Sequence, residues 1–368
     1  MSTSDFNLDS LLSDMADGGD DSFGAFLDEP AEYSDTPAKQ GWIEPGYEGS
    51  IDYRVRQLSY SSLLTLHSCP RKFQLAKLRT TFKSEEAVKS TITFAFGHIV
   101  GQGLQDILEG LDLDKVIWRA FLGWHTDLAN VDEKARKSFW TGIIALQRFA
   151  AMREGGFLDG YELVYYNGKP ACELSFCVQF PDSFRLRGFV DAVLRNTNTG
   201  EVLVLECKTT GFATINPATY KNSSQAIGYS VVLDVLFPGI SSYEVLYLVY
   251  QTTTMEFHPI PFTKSYLQRA LWIREMLLDI EIIKMYEDQG IYPQRGESCT
   301  AFFRDCEYLQ TCGLSTEYLT KPCTPEQEDK TEYQVNLTVQ DLIEAQLRIG
   351  SSTDESQGAS DGNEQAEN

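Results

Sequence analysis

The chain has 368 residues and a net charge of −22 at pH 7, an acidic balance that at first sight argues against binding to nucleic acid. A disulfide-stapled secreted domain would be far shorter, nothing at the N-terminus resembles a signal peptide, and no apolar run approaches the roughly 20 residues of a membrane span. We therefore expect a protein of the reducing cytoplasm that contains no membrane segment, and we expect its eight cysteines to be reduced or bound to metal.

Most of the negative charge lies at the two ends of the chain. Residues 1–50 carry twelve acidic residues and one lysine, and residues 324–368 carry eleven acidic and two basic residues. The residues between them have a net charge of −2 and can still form a local basic groove. From this composition we expect a disordered acidic tail over residues 1–50, one folded domain over 51–323, and an acidic tail over 324–368 with a candidate short helix at 337–349.

Apolar periodicity predicts helices in the first part of the chain and strands after them. Helices are expected over residues 59–78, with a bend at Cys69-Pro70, and over 93–109, 114–128 and 132–154. Strands are expected over residues 160–167, 170–180, 184–195 and 201–209. Asn216 and Pro217 predict the start of a further helix, which runs to about Leu236 and is followed by a strand from Tyr243. Thr263 is the expected N-cap of a last helix that ends near Asp288.

The most informative segment is GFVDAVLRNTNTGEVLVLECKTTG, residues 188–211. It predicts two strands joined by the turn NTNTG, in which Glu206 and Lys208 share one face and Cys207 points away. Closing this hairpin brings Asp191 beside Glu206. Carboxylate oxygens suit Mg²⁺ or Mn²⁺, and a neighbouring lysine can orient or activate a water, so the segment predicts metal-assisted hydrolysis of a phosphodiester. The alternative is a chance ExK and a solvated aspartate, but Glu206 ends a strand that is apolar on both faces, and a buried Glu is rare without a partner.

A second motif lies on the helix that follows the hairpin, where Gln225 and Tyr229 are four residues apart and therefore on one face. The order D…ExK and then QxxxY, preceded by Gly188, resembles the PD-(D/E)XK nuclease superfamily over residues 57–312. The resemblance is strongest to its RecB-like exonuclease branch, which includes CRISPR-associated and phage members. It implies an α/β fold with a restriction-endonuclease-like core, in which helices flank a mixed central sheet and a helical insertion precedes the hairpin.

The same resemblance implies roles for individual residues. Asp191 and Glu206 would bind the metal together with the backbone carbonyl of Cys207, and Lys208 would assist the attacking water. Gln225 and Tyr229 would hold the DNA and the active site. Many relatives carry a metal-binding histidine four residues after a glycine, whereas Gly97 is followed at that spacing by Gly101. His98 is the candidate ligand from a shifted position, Gln105 and Glu173 are further candidates, and a structural or solvated His98 is the alternative.

Four cysteines form another group, with Cys69 in the segment CPRKF and Cys299, Cys306 and Cys312 close together near the end of the domain. This arrangement resembles the iron–sulfur branch of the RecB-like nucleases, which implies that the four thiolates hold a four-iron four-sulfur (4Fe–4S) cluster. Zinc also accepts four thiolates, and free cysteines are a third alternative. Cys323 is a spare candidate.

Taken together, these motifs predict a metal-dependent DNA exonuclease that acts on ends or single strands in recombination, repair or replication, in a bacterial or phage-infected cell. A basic cluster that can contact phosphates is predicted at Arg71, Lys72, Lys77, Arg79 and Lys83. A single-strand annealing or binding protein is the expected partner of the acidic tails. The alternative function is a catalytically silent protein on the same fold that binds DNA or a recombination partner.

Overall fold

A mixed sheet with helices on both faces forms the centre of this computed structural model, which describes residues 56–77, 87–124, 135–238, 240, 242–289, 291–301, 304–309, 312 and 332–358. These residues all belong to one of two structural units of the chain, Trp42–Asn368. The described strands are β1 (Gln57–Leu58), β2 (Tyr161–Leu163), β3 (Tyr165–Tyr166), β4 (Lys169–Pro170), β5 (Cys172–Gln179), β6 (Arg185–Asn196), β7 (Val202–Thr210), β8 (Ser242–Gln251), β9 (Glu256–Ser265), β10 (Thr300–Ala301), β11 (Arg304–Asp305) and β12 (Val335–Thr338).

The described helices precede, interrupt and follow these strands. They are α1 (Tyr60–Ser68), α2 (Pro70–Lys77), α3 (Ala87–Leu108), α4 (Leu113–Gly123), α5 (Phe139–Glu154), α6 (Ala218–Lys221), α7 (Ser224–Leu236), α8 (Tyr266–Gln289) and α9 (Val339–Gly358). None of the helices within the described ranges is long and apolar enough to cross a membrane. The expected tail over residues 1–50 lies outside the described residues.

The strands of the main sheet are ordered β12-β5-β6-β7-β8-β9, and β1 and β2 also pair with β6. The pairs β12–β5, β7–β8 and β1–β6 are parallel, and the others are antiparallel. The predicted mixed α/β sheet flanked by helices is therefore confirmed. Its central strand β7 is apolar on both faces because each face is covered, with Val204 buried in one layer and Leu205 in the other.

Two hydrophobic layers cover the two faces of the sheet. The layer that we call the first contains α1, α7, α8 and α9, and its largest buried side chains include Trp272 and Phe176. The second layer contains α3, α4 and α5, with Phe96, Leu146 and Phe149 at its centre. The helices that were predicted as an insertion before the hairpin thus supply one whole face of the core.

Several predicted elements agree with the structure. Ser59 caps α1 by accepting a hydrogen bond from the backbone N–H of Ser62, and Cys69 has extended backbone between α1 and α2, at the predicted bend. The helix expected over 216–236 is instead two helices. Asn216 accepts the N–H of Ala218 at the start of α6, and the chain then leaves helical geometry before Ser223, whose extended backbone begins α7. Asn and Ser favour such caps over helix interiors, which explains the break.

The prediction that Thr263 caps the last helix is wrong, because Thr263 lies within β9. Helix α8 begins after Ser265, which accepts the N–H of Gln268 while the Gln268 side chain accepts the N–H of Ser265. The strand is hard to recognise in the sequence because it contains Pro259 and Pro261. Prolines are tolerated there since β9 is an edge strand and pairs only with β8.

The folded part of the chain continues beyond residue 323, where the composition placed the domain boundary. Strand β12 extends the sheet next to β5, and α9 packs on the first layer through Leu342, Ala345 and Ile349, each at most 2% exposed. The predicted short helix is therefore present and longer than expected. Its many acidic residues concealed an apolar stripe with helical spacing, and that stripe places the segment in the core rather than in a tail.

A fully buried ion pair joins α7, α8 and α9. Arg269 donates from Nε to Asp234 Oδ2 at 2.7 Å, and its other nitrogens donate to the backbone carbonyls of Lys264 and Ile240. Gln346 on α9 donates to the same carboxylate oxygen. Because every contact of the guanidinium is inside the protein, the pair fixes the relative positions of the three helices.

We predict that Asp234→Asn lowers the free energy of unfolding by about 3–5 kcal/mol, since it leaves the charge of Arg269 buried without a counter-ion. The measurement is urea denaturation followed by circular dichroism. Glu281→Gln is the matched control, because Glu281 lies on the same helix as Arg269 but its ion pair with Lys284 is solvent exposed. Equal midpoints for the two variants would show that the buried pair does not stabilise the fold.

Candidate active site

The hairpin of β6 and β7 forms with the predicted register. Asn196 accepts the N–H groups of Asn198 and Thr199, and Gly200 has the left-handed backbone (φ 75°) that this turn requires. The paired residues run from Arg195 opposite Val202 to Ala192 opposite Leu205. The next residue on each strand is therefore Asp191 or Glu206, and the register places these two carboxylates opposite each other.

The regular alternation of side chains along β6 is interrupted at Asp191. Val190 packs in the first layer, whereas Ala192 packs in the second, so the regular alternation of the strand is broken at Asp191. The side chain of Asp191 accepts a hydrogen bond from the backbone N–H of Cys207, with 2.8 Å between N and Oδ2. This contact across the hairpin fixes the carboxylate beside the second strand.

The other predicted polar residues form a continuous chain of hydrogen bonds. Lys208 donates from Nζ to Glu206 Oε1 and, at 3.2 Å, to Gln225 Oε1. Gln225 in turn donates from Nε2 to the hydroxyl of Tyr229 at 2.6 Å. Glu206 is fully buried at the base of this chain, and the Lys208 side chain is 37% exposed at its mouth. The structure thus connects Glu206, Lys208, Gln225 and Tyr229 directly.

Burial and charge shift the ionisation of these groups strongly. Burial, reinforced by the charge of Glu206, raises the pKa of Asp191 well above its usual range. Burial also raises the pKa of Glu206, although the ammonium of Lys208 opposes this change. Burial by itself lowers the pKa of Lys208, but Glu206 and Asp191 outweigh it and the net pKa is raised. Lys208 is therefore a cation here, and it donates hydrogen bonds to the atoms around it.

Gly188 allows aromatic rings to pack closely beneath the site. A Cβ atom at this position would lie 2.5 Å from Phe176 Cζ and 3.2 Å from Tyr60 Cε2. Tyr60 makes an edge-on contact with the ring of Tyr229, with 5.3 Å between ring centroids. Nothing in the sequence distinguished Tyr60. Burial raises the pKa of its hydroxyl, and the negative charge of Glu206 raises this pKa further.

A family model described as the PD-(D/E)XK nuclease superfamily matches residues 57–313. The chain belongs to this superfamily. The comparison of the chain with curated proteins found no match. Among solved structures, the one titled "Crystal structure of SSO0001" is similar over 67% of this chain and 82% of that chain, at 11% sequence identity and a TM-score of 0.28, values too low to support an argument.

Nucleases of this superfamily typically use divalent metal ions, and the donors present in this domain fit such an ion. Glu206 is 0% exposed, and its Oε2 atom has no hydrogen-bond partner among the described residues. An unpaired carboxylate oxygen is costly to bury unless a cation binds it. Within the described ranges, no three side chains from His, Cys, Asp and Glu are already grouped as ligands around one point. The argument for a divalent cation therefore rests on the carboxylate donors and on the unpaired Oε2 atom of Glu206.

Hydrogen bonds join the segments that carry the predicted cluster cysteines, although no three of these thiols are grouped around one point within the described residues. Ser298, which precedes Cys299, donates from Oγ to the carbonyl of Ser68, which precedes Cys69, at 2.6 Å. Burial raises the pKa of Cys312, the guanidinium of Arg71 lowers it, and Cys69, Cys306 and Cys299 each raise it further. The backbone N–H of Cys306 donates to the carbonyl of Cys299 at 2.7 Å. None of the described cysteines forms a disulfide, and Cys323 lies outside the described residues.

The predicted basic cluster is described only in part. Arg71 donates from Nε to the backbone carbonyl of Cys312 at 3.3 Å and from Nη1 to Gln74, so it supports the cysteine segment. Lys72 is half-buried beside it. Arg79, Lys83 and the side chain of Lys77 lie outside the described residues.

The candidate ligands on α3 occupy different environments. His98 is exposed, and no described contact joins it to Asp191 or Glu206, so its role as a ligand stays a prediction. Gln105, two turns further along the same side of the helix, is 3% exposed and donates from Nε2 to Glu173 Oε1 at 3.1 Å. Cys207 packs its side chain on the second layer, away from the site, as predicted.

We predict that Gly188→Ala lowers the free energy of unfolding by about 1–3 kcal/mol, because the new Cβ overlaps the Phe176 ring. Gly101→Ala is the control: its Cβ meets nothing within 4 Å, and Ala is favoured in a helix interior, so stability should rise by about 0.5–1 kcal/mol. Thermal and urea denaturation measure both effects. A Gly188→Ala variant as stable as the wild type would show that these aromatic rings adjust without cost.

Proposed function

We propose that this protein is a metal-dependent DNA exonuclease of the RecB-like branch, which hydrolyses phosphodiester bonds at DNA ends or in single strands. The observation that supports it most is the hydrogen-bonded chain from buried Glu206 through Lys208 and Gln225 to Tyr229, with Asp191 fixed beside it. A fully buried Glu206 beside a second carboxylate, Asp191, is expensive to maintain for stability alone. Their presence together favours catalysis over a silent protein on the same fold.

Each residue has a defined task in this proposal. Asp191 and Glu206, with the backbone carbonyl of Cys207, would hold Mg²⁺ or Mn²⁺, which lowers the pKa of a bound water and offsets charge on the phosphate. The cationic Lys208 positions the oxygen atoms of water and phosphate by donating hydrogen bonds, and it stabilises the negative charge that develops on the phosphate. Gln225 and Tyr229 hold Lys208 in place. His98, which is exposed, would be a further ligand of the metal.

The wider role follows from the resemblance. DNA is the expected substrate of a nuclease of this superfamily. Action on ends, a role in recombination, repair or replication in a bacterial or phage-infected cell, and a location in the cytoplasm are further parts of the proposal. A single-strand annealing or binding protein would contact the acidic ends of the chain.

We predict that Asp191→Asn and Lys208→Ala each reduce cleavage at least 100-fold without loss of fold, since each removes a charge that acts on the reacting phosphate. The assay uses end-labelled linear DNA, single- and double-stranded, with Mg²⁺, Mn²⁺ or EDTA. Asp114→Asn, an exposed carboxylate on α4, is the control and should cleave normally.

Covalently closed circular DNA separates the modes of attack. Shortening of linear DNA from an end, with circles left intact, supports the exonuclease. Cutting of circles would replace it with an endonuclease. Tight DNA binding with no cleavage under any metal would support the silent protein instead.

We also propose that Cys69, Cys299, Cys306 and Cys312 hold a 4Fe–4S cluster. The hydrogen bonds from Ser298 to the carbonyl of Ser68 and from Arg71 to the carbonyl of Cys312 support a common site, because they hold the cysteine segments together, and four thiolates are the donors that such a cluster requires. The cluster would join α2 to the segment around residue 306. Zinc is the alternative occupant.

We predict that anaerobically purified protein contains iron and sulfide, with broad visible absorbance, and that Cys306→Ser loses both. Cys177→Ser, on β5, is the matched control and should retain them. Elemental analysis of both variants measures the effect. Stoichiometric zinc without iron in the wild type would assign the site to zinc.

A further inference from the structure

The register of the sheet places a third carboxylate in line with Asp191 and Glu206. On β5 and β6, Cys172 pairs with Ala192 and Leu174 pairs with Val190, so Glu173 lies opposite Asp191. On the other side of β6, Asp191 lies opposite Glu206 of β7. Three acidic side chains therefore cross three adjacent strands at one level, although like charges on neighbouring strands destabilise a sheet.

Glu173 is held in an unusual conformation at this level. Its φ is 47°, in the left-handed region that is uncommon for residues other than glycine. Cys172 packs on the second layer and Leu174 on the first, so β5 changes faces at Glu173 just as β6 does at Asp191. Two neighbouring strands thus depart from regular alternation together, at the positions of the two carboxylates.

An independent observation points to a ligand. The Oε2 atom of Glu206 is buried and has no hydrogen-bond partner among the described residues, whereas Oε1 binds Lys208. Within the described residues the three carboxylates are not already grouped around one point and Glu173 is exposed, so a cation bound at Oε2 of Glu206 would draw the Glu173 side chain inwards. When all three carboxylates and the Lys208 ammonium are ionised, their formal net charge is −2, which one divalent cation would neutralise.

Gln105 fixes the third carboxylate. It is almost fully buried in α3, and it donates from Nε2 to Glu173 Oε1 at 3.1 Å. Glu173 itself is exposed, so without this contact its side chain would be free to turn into solvent. A buried amide that orients a carboxylate in this way is typical of the residues that support metal ligands.

We propose that Glu173 is a third carboxylate ligand of the divalent-cation site and that Gln105 is its positioning residue. The inference rests on the proposed function and adds to it a ligand from β5. It also gives α3 a part in the site through Gln105, whether or not His98 reaches the cation.

The test measures Mn²⁺ binding to the full-length, cluster-loaded protein without DNA, by calorimetry and by electron paramagnetic resonance. Glu173→Gln should weaken binding about 10- to 100-fold, and Gln105→Leu about 10-fold. Glu162→Gln, an exposed carboxylate on β2 that also borders β6, is the control and should bind as the wild type does.

Thermal melting without metal supplies a readout that a purely structural role would not give. Glu173→Gln removes repulsion among three like charges, so the metal-free variant should melt at a higher temperature than the metal-free wild type. Mn²⁺ should raise its melting temperature less than it raises that of the wild type. If Glu173→Gln folds poorly, Glu173→Asn gives the same comparison, because Asn adopts left-handed backbone more readily.

Two failures are distinguishable. If Asp191→Asn loses Mn²⁺ binding while both Glu173 variants keep wild-type affinity, the third ligand is wrong and the proposed nuclease stands. If the wild type neither binds Mn²⁺ nor cleaves DNA, the proposed function itself fails.

Discussion

The burial of two carboxylates side by side, Asp191 and Glu206, is the constraint around which the domain is organised. Each charge must be offset inside a sheet whose strands are otherwise apolar, and the structure offsets them differently. Asp191 receives a backbone N–H from the opposite strand, and Glu206 receives the ammonium of Lys208. The ammonium is held in turn by Gln225 from the helix that covers the first layer. The position of α7 over the sheet is therefore an electrostatic requirement as well as a matter of packing.

The contrast with the other buried ion pair is informative. Arg269 satisfies its donors on Asp234 and on two backbone carbonyls, and the pair is closed to solvent. In both pairs one carboxylate oxygen has no hydrogen-bond partner among the described residues, Oδ1 of Asp234 and Oε2 of Glu206. The two pairs differ in their access to solvent: the side chains of Arg269 and Asp234 are fully buried, whereas Lys208 in the candidate active site is 37% exposed. A cation or substrate can therefore approach the second pair and not the first.

Much of the site could be predicted because it depends on local spacing. The Glu and Lys of ExK, two positions apart, share a strand face, and the Gln and Tyr of QxxxY, four positions apart, share a helix face. The turn NTNTG sets the register that brings Asp191 to Glu206. The four cysteines were recognisable only through a family resemblance, since no spacing rule joins Cys69 to Cys312. What escaped prediction depends on tertiary context. The prolines of β9 are acceptable only at a sheet edge, and the contact of Gln105 with Glu173 requires two elements that are distant in the chain.

Strand β12 has a consequence for the protection of the sheet. It pairs in parallel with β5, and Ser175 and Gln334 exchange two hydrogen bonds although 159 residues separate them. In a chain shortened at residue 323, β5 would present a row of unpaired backbone groups from Phe176 to Gln179. An exposed edge of this kind pairs with strands from other molecules. By covering the edge of β5, strand β12 of the acidic C-terminal segment protects the protein against aggregation.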